Sequence, residues 1–447
     1  MQDSQGTANV TSRYRPIGGW LETPRDLQPS LDTSVTADVV VVGGGFAGLS
    51  TALELASTAA DVVLLEQEFA GFGASGRNAG YLAGGQGLDY DMFLKRVSAD
   101  QVRQIVRYFE EGVTYVEGKI AQYGIECDYL RTGLLRAGIH PSQEKKLRES
   151  MAHGNEFGAS AQFLGEKELR ARGIPPAFLF GYLTANGGTL QPGKYVLGLR
   201  RAAIDAGVRI FEKSPLVRYV EGPTVRCETE KGSATAPFVV FATNGYTPQL
   251  GLLRDKVVPI RVSALETQPL TPAQLAALGW ENREGITTQH LIMESHRLTV
   301  DNRLVLTTKH LDYVYGSKTP NVPDKVAYKE LAGLLGERFP MLGRVAVRAC
   351  WSGYISFAYD ALPVVGETGD RGNILYTAGC SGHGVGTQSY VGRLLSDRVR
   401  GIEHPMLAAL RHATPRTLPE PLQWGMMKSM FGAAHFLDNR VNRKVRN

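Results

Sequence analysis

Three observations predict a mixed α/β fold, α+β in part, for this 447-residue chain. The apolar run Val39–Val42 opens directly into Gly43, Gly45 and Gly48 at G-x-G-x-x-G spacing, and a second apolar run, Val62–Leu65, ends at Glu66. Apolar runs of the same buried kind return far downstream, at 238–242 and 374–378. Two blocks of different patterning, with a hairpin signal at Asp301-Asn302, separate them. Together these describe a Rossmann-like dinucleotide lobe built from discontinuous segments, with a second lobe on an antiparallel sheet.

The elements follow in order. Up to about residue 37, Pro16, Gly18, Gly19, Pro24 and Pro29 break regular structure and give an extended lead-in. Residues 48–56 read as a helix with Leu49, Leu53 and Ala56 on one face. Of the three glycines, the first allows the tight turn and the second lets backbone approach a pyrophosphate. The third lets helix and strand pack closely. The pyrophosphate then rests on unpaired N–H groups at the positive end of the helix. Glu66, about 20 residues past the glycines, accepts from the ribose and would repel a 2′-phosphate, which disfavours NADP. Residues 99–123 repeat Val102, Ile105, Val106, Phe109, Val113, Val116 and Ile120 at helical spacing and predict a long amphipathic helix. A strand at 133–138 and a charged helix at 143–151 follow. Pro192 suits the first position of a helix to about 206, closed by Gly207, with strands at 208–211 and 214–219. The 238–242 strand ends in the sharp turn Thr243-Asn244-Gly245, strands at 297–300 and 303–308 form the hairpin, and a helix runs from about 384 to 400.

The domain reading is therefore interleaved: 1–98, 185–257 and 346–402 in the dinucleotide lobe, 99–184 and 258–345 in the second, and 403–447 as a C-terminal extension. A nicotinamide dehydrogenase keeps its fold contiguous; an interleaved chain points to a flavoprotein.

Apolar content of 43% and charged content of 21% are ordinary for a globular chain. A net charge of +5 is too small to suggest nucleic-acid binding. Cys127, Cys227, Cys350 and Cys380 are scattered without metal spacing and suit free thiols in a reducing compartment. The first twenty residues are polar, include Asp3 and lack the apolar core of a signal peptide; no run of about 18 apolar residues occurs. The expectation is a cytoplasmic protein with no metal site and no Ser-His-Asp triad, and His290 and His296 flank a strand. From about 423, Trp424, Met426, Met427, Met430, Phe431 and Phe436 mix with Arg440, Arg443, Lys444 and Arg446. Such a basic amphipathic tail packs on its own body, on a second subunit of a homodimer, or on an anionic membrane surface.

Gly71-Phe72-Gly73-Ala74-Ser75-Gly76-Arg77-Asn78-Ala79-Gly80 cannot build a core, but it can wrap backbone around a flat ligand and its phosphates. Here the sequence resembles the D-amino-acid-oxidase-like FAD oxidoreductases, and within them the gamma-glutamylputrescine oxidase branch. The resemblance extends through Leu190-Gln191-Pro192, Asp301-Asn302-Arg303, Trp351-Ser352-Gly353 with Asp360, Pro363 and Gly366, and Ser381-Gly382-His383-Gly384-Val385. It implies noncovalent FAD held by Gly43, Gly45, Phe46, Ala47, Gly48, Glu66 and Gln67 in the first segment. Ala74, Ser75, Arg77, Asn78, Ala79, Gly80 and Leu82 belong to the loop, and Val217 contacts the adenine through its backbone. The closing motif contributes Gly382, His383, Gly384, Val385 and Gly386.

The resemblance also implies hydride transfer from an amine-bearing carbon to the flavin, hydrolysis of the imine, and electrons passed to O2 or another acceptor. In amino-acid-oxidising relatives an arginine stands four residues after the tryptophan and another in the closing motif; here those positions are Ile355 and Gly382. Their loss favours a small-molecule primary amine whose polar end lies further off. His383, at the start of the last helix, either bonds flavin or substrate or packs against the ring. Lys309 assists oxygen, anchors an anionic tail, or is a solvated strand-end residue. Tyr246, Tyr354 and Trp351 form either an aromatic cage for the amine or ordinary core.

Overall fold

The computed structural model describes residues 10–88 and 90–446. The first nine residues, including Asp3 and much of the stretch read as lacking a leader, lie outside the described residues.

Six strands form the first sheet in the order Val364–Thr368, Ile374–Ala378, Phe238–Phe241, Val39–Val42, Val62–Leu65, Arg209–Phe211. Neighbours are parallel except the first pair. The Val39–Val42 strand is buried on both faces, and its alternation divides it between two cores. Val39 and Val41 face the helical layer with Leu49, Leu53, Val391 and Leu394. Val40 and Val42 face a four-stranded sheet that supplies Val225, Cys227, Ala234 and Ala236. Helices Phe46–Ala56 and Gly384–Val399 meet at Gly392, where a Cβ would lie 2.6 Å from Ser50 Cβ.

The second sheet has eight strands: Val347–Phe357, Val258–Thr267, Leu304–Asp312, Glu294–Leu298, Gly285–Thr288, Leu134–Gly138, Phe180–Thr184, Gln162–Leu164. All pair antiparallel except Gly285–Thr288 with Leu134–Gly138. The amphipathic helix forms as Ala99–Tyr123, opened by a Ser98/Gln101 capping box and closed by Gly124 in the left-handed region. Gly112 lets it approach the last helix of the first lobe: a Cβ there would meet the Gly386 carbonyl carbon at 2.9 Å.

Two expected local structures differ. The strand expected at 214–219 starts only at Arg218, because Ser214 donates its N–H to the Glu66 carbonyl and its hydroxyl accepts from Leu31 N–H. The turn after Phe241 continues as a 3₁₀ helix, Asn244–Leu250. The C-terminal segment is the helix Leu422–Arg446, and it packs on its own body: Met427 and Phe431 are buried against Val258, Ile260 and Tyr313. Among the described residues no helix is long and apolar enough to cross a membrane.

Candidate functional site

The C-terminal ends of Val39–Val42, Val62–Leu65 and Phe238–Phe241 open on a cavity of about 640 Å³, where open parallel sheets bind ligands. Gly43, at φ +107°, makes the turn; a Cβ there would lie 2.8 Å from the Ala242 carbonyl oxygen. Helix Phe46–Ala56 starts at Gly45 with no side-chain cap from that residue. Ser75 Oγ accepts the Phe46 N–H at 2.9 Å, so other first-turn N–H groups are left for a ligand.

Glu66 Oε2 accepts from Gly44 N–H at 2.8 Å and Oε1 from Glu68 N–H at 3.0 Å. Burial pushes this carboxyl up to about 7; the two N–H groups pull it down and the Glu212 carboxylate pushes it further up.

The glycine-rich loop is held by its carbonyls. Trp351 Nε1 donates to Arg77 O at 2.9 Å, Trp20 Nε1 to Asn78 O at 2.8 Å, and Arg297 Nη1 to Ala79 O at 2.7 Å. Arg297 also reaches Leu190 O at 2.6 Å, tying the loop to the second segment of the lobe. Gly80, at φ +77°, must be glycine because a Cβ would meet Leu190 O at 2.0 Å and Arg297 Nη1 at 2.2 Å. Within the loop, Asn78 donates to Ala74 O and Ser75 O and accepts from Gly80 N–H. Arg77 donates to Phe72 O at 2.7 Å and Ser352 O at 2.9 Å, so its cation faces carbonyls.

At the other end of the same lobe, His383 begins helix Gly384–Val399. Its Nδ1 lies 3.2 Å from Ser381 O, which requires the proton on Nδ1 and leaves Nε2 as an acceptor. Burial pushes the imidazole pKa down, as does the Arg136 charge, so it is neutral near pH 7. Ile355 and Gly382 form one patch: a Cβ on Gly382 would lie 3.9 Å from Ile355 Cδ1.

These residues fit a dinucleotide with a flat head group. A helix N-terminus without its own cap meets the cavity, and a carboxyl near neutrality sits at the end of the second strand. Among the described residues, Asn244 Oδ1 and Gln388 Nε2 line the same cavity buried and unpartnered.

Of the residues expected at the cofactor, Gly43, Gly45, Phe46, Ala47, Glu66, Gln67, Ala74, Ser75, Arg77, Asn78, Ala79, Gly382, His383, Gly384 and Val385 line the cavity. Gly48, Gly80, Leu82 and Gly386 stand behind its wall: a Cβ on Gly48 would lie 1.8 Å from Gly43 O, and one on Gly386 3.4 Å from Leu82 Cδ1. Tyr246, Tyr354 and Ile355 line it as well.

Three expected positions lie elsewhere. Val217 is 61% exposed and gives its N–H to Glu228 O; Leu216 and Ser214 line the cavity instead. Trp351 is fully buried, edge-on to Trp20, and acts by positioning Arg77 rather than as cage wall. Lys309 follows Thr308 in a bulge with both residues in the left-handed region, at φ +73° and +61°. That turns Nζ away from the cavity to Glu294 at 3.0 Å and Glu337 at 3.5 Å. Arg338 bonds both Glu294 oxygens, and His290 and His296 complete this buried cluster with imidazoles pushed down by burial.

The sequence reading missed Arg297, Arg136, Tyr182 and the Met430, Phe431 and Ala434 wall from the C-terminal helix; only the apolar stripe of that helix hinted at the last. It also expected no metal ligands. The structure brings one ligand atom each of His310, Glu330 and His435 within 4.8 Å of one another, and none of the three lines the cavity.

Fold and cavity define a two-lobe dinucleotide-dependent oxidoreductase. The chain belongs to the family of FAD dependent oxidoreductases, the DAO family, whose profile matches residues 38–398. It is therefore a flavoprotein enzyme. It is 31% identical to a probable oxidoreductase, OrdL, of Haemophilus influenzae, over 83% of this chain and 85% of that one. It is 30% identical to gamma-glutamylputrescine oxidoreductase of Escherichia coli, over 88% of this chain and 89% of that one. Glycine oxidase from Geobacillus kaustophilus shares the fold with a TM-score of 0.71 at 20% identity, over 83% of this chain and 96% of that one. L-proline dehydrogenase from P. horikoshii does so at 0.68 and 20%, with the same coverage.

Proposed function

We propose that this enzyme oxidises the CH–NH2 group of a primary amine carrying a distant polar group, a compound like gamma-glutamylputrescine. The imine hydrolyses to an aldehyde and ammonia, and the electrons pass to O2, giving H2O2. The observation that carries this reading is the Ile355–Gly382 patch. An α-amino acid brings its carboxylate within one bond of the reacting carbon and needs a cation there. An aliphatic side chain and a glycine leave such a carboxylate desolvated and unpaired.

Bound FAD, held by the cavity residues named above, supplies the hydride acceptor. Glu66 would hold the ribose hydroxyls, and the N-terminus of Phe46–Ala56 would hold the pyrophosphate. The N-terminus of Gly384–Val399 would supply positive potential to the negative charge that a reduced flavin carries. Neutral His383, with Nε2 free to accept, and the hydroxyl of Tyr246 orient the neutral amine, while Tyr354, whose hydroxyl donates to Pro320 O, contributes its ring to the wall. The apolar wall of Ile260, Val262, Leu311, Phe357 and Phe431 excludes water, which favours the uncharged amine that hydride loss requires. A cytoplasmic location belongs to the same reading and is supported by four free, buried cysteines.

The test is anaerobic bleaching of the flavin by gamma-glutamylputrescine, by putrescine and by glycine, followed by peroxide assay in air. Gamma-glutamylputrescine bleaches fastest, and peroxide appears in proportion to aldehyde. Faster bleaching by glycine ends the reading; amine-driven bleaching with turnover only on a quinone or dye favours the alternative, a quinone-linked dehydrogenase.

A further inference from the structure

Five side chains on the floor of the cavity lie in one register row across the second sheet. Tyr182 pairs with Arg136, Arg136 with Thr287, Thr287 with Ser295, and Ser295 with Thr307. All five line the cavity. Cross-strand partners project from the same face, so the row is a polar track from Thr307 to Arg136 and Tyr182.

Arg77 and Arg136 are the arginines among the described lining residues, with no lysine beside them, and Glu66 is the sole carboxylate. Arg77 is committed to the loop. Arg136 donates Nε to Gln289 Oε1 at 2.6 Å and Nη1 to Gly87 O at 3.0 Å, both neutral acceptors. Among the described residues no carboxylate lies within ion-pair distance of it. Nearby Glu110 is held by Gly85 N–H and by Asn186 and does not line the cavity. Tyr182 is 2% exposed, and its hydroxyl has no hydrogen-bond partner among the described residues. The two groups converge at Gly87, where a Cβ would lie 2.9 Å from Arg136 Nη1 and 3.4 Å from the Tyr182 hydroxyl. Among the described residues the half-buried guanidinium has no acid and the buried hydroxyl beside it no partner, the makings of an incomplete anion site.

We propose that Arg136 and Tyr182 form the subsite that binds the substrate's distant carboxylate, with Thr287 and Ser295 contacting polar groups along the chain between. The assignment rests on the amine-oxidase reading above. Three inter-strand steps separate Thr307 from Arg136, about 14 Å at the backbone. The arginine side chain reaches back over part of that span. The substrate class is thus a primary amine with a carboxylate beyond the α position.

The test uses the holoenzyme and two amines of equal length, glutarylputrescine and pentanoylputrescine, which differ only by a terminal carboxylate in place of a methyl. Apparent Kd is read from the concentration dependence of anaerobic flavin bleaching. A third probe, N-butylglutaramate, keeps the carboxylate but has no amine, and its binding is read from the difference spectrum of the bound flavin. Wild-type enzyme prefers glutarylputrescine by about 30-fold, the worth of one charge-assisted pair. In Arg136→Gln the preference falls to within about threefold; Arg136→Lys retains part of it, and Tyr182→Phe loses about fivefold.

Equal Kd values for the two amines in wild type, or an undiminished preference in both Arg136→Gln and Tyr182→Phe, overturns the subsite while leaving amine oxidation standing. If no amine bleaches the flavin, the functional reading fails. Binding of N-butylglutaramate that is lost in Arg136→Gln then still supports the subsite, and binding that is unaffected refutes it.

Discussion

With Glu66 at the ribose, as proposed above, cofactor binding is coupled to pH, and the sign is fixed by the surroundings of this residue. In the cleft its carboxyl is pushed from 4.5 to about 7, chiefly by burial. A ribose hydroxyl donates to the ionised form, so binding FAD draws that pKa down and expels a proton. Affinity therefore rises with pH until about 7 and levels off above it. Each pH unit below that costs up to about tenfold, so binding at about pH 5.5 is roughly 30-fold weaker than at about pH 8.

The apoprotein has the opposite slope. A carboxyl with a folded pKa above its unfolded value stabilises at low pH. That contribution is lost as pH rises from 4.5 through about 7, to a total of about 3 kcal/mol. Glu66→Gln removes both slopes. Because its amide accepts only one of the two N–H groups now shared by the carboxylate, the variant also loses about 1–3 kcal/mol of stability to a buried, unpaired donor. The assay is titration of apoprotein with FAD, followed by flavin fluorescence quenching across this pH range, alongside thermal unfolding of the apoprotein. A wild-type Kd that is flat with pH, or a variant with the wild-type slope, refutes the placement of Glu66 at the ribose.

Other expectations follow from the same contacts. Arg297→Leu strips the donor from Ala79 O and Leu190 O and costs about 2–5 kcal/mol; the purified variant loses yellow colour on dialysis, which wild type does not. Lys309→Met leaves Glu294 its Arg338 partner and costs about 2 kcal/mol by thermal unfolding. Stopped-flow reoxidation of the reduced variant by O2 stays within about twofold of wild type, since Nζ points away from the cavity. Burial raises the Cys350 thiol to about 12, which makes it inert, so acid precipitation leaves the flavin in the supernatant; colour in the pellet would show a covalent link.

Much of this was readable because local signals and tertiary demands agreed. The helix Ala99–Tyr123 has one apolar stripe, a capping box and a terminal glycine, so nothing distant could move its ends. The glycine turn was readable from its spacing: Gly48 is fixed by Gly43 O five residues back, whereas the Ala242 carbonyl that also confines Gly43 comes from a strand about two hundred residues on. Misplacements came where one residue of register decides orientation. Leu216 and Val217 are adjacent and both aliphatic, and only the pairing of Val217 with Glu228 shows which one faces outward. At Thr308 and Lys309 the bulge inserts residues that strand periodicity does not announce, and that insertion sends the lysine to Glu294. Trp351 and Arg297 were hidden differently: each acts on a carbonyl more than two hundred residues away. The track from Tyr182 to Thr307 needs the order of five strands, which no sequence window contains.

The middle of the nucleotide sheet has a further consequence for biogenesis. Phe238–Phe241 lies between Val39–Val42 and Ile374–Ala378, so the sheet completes itself only after some three hundred intervening residues have left the ribosome. Nascent intermediates would expose one edge of the valine strand until Phe238–Phe241 emerges, and then the open edge of Phe238–Phe241, a template for aberrant pairing until Ile374–Ala378 follows near the end of translation. Flavin supply at the moment of release, rather than during elongation, would then govern how much polypeptide escapes aggregation.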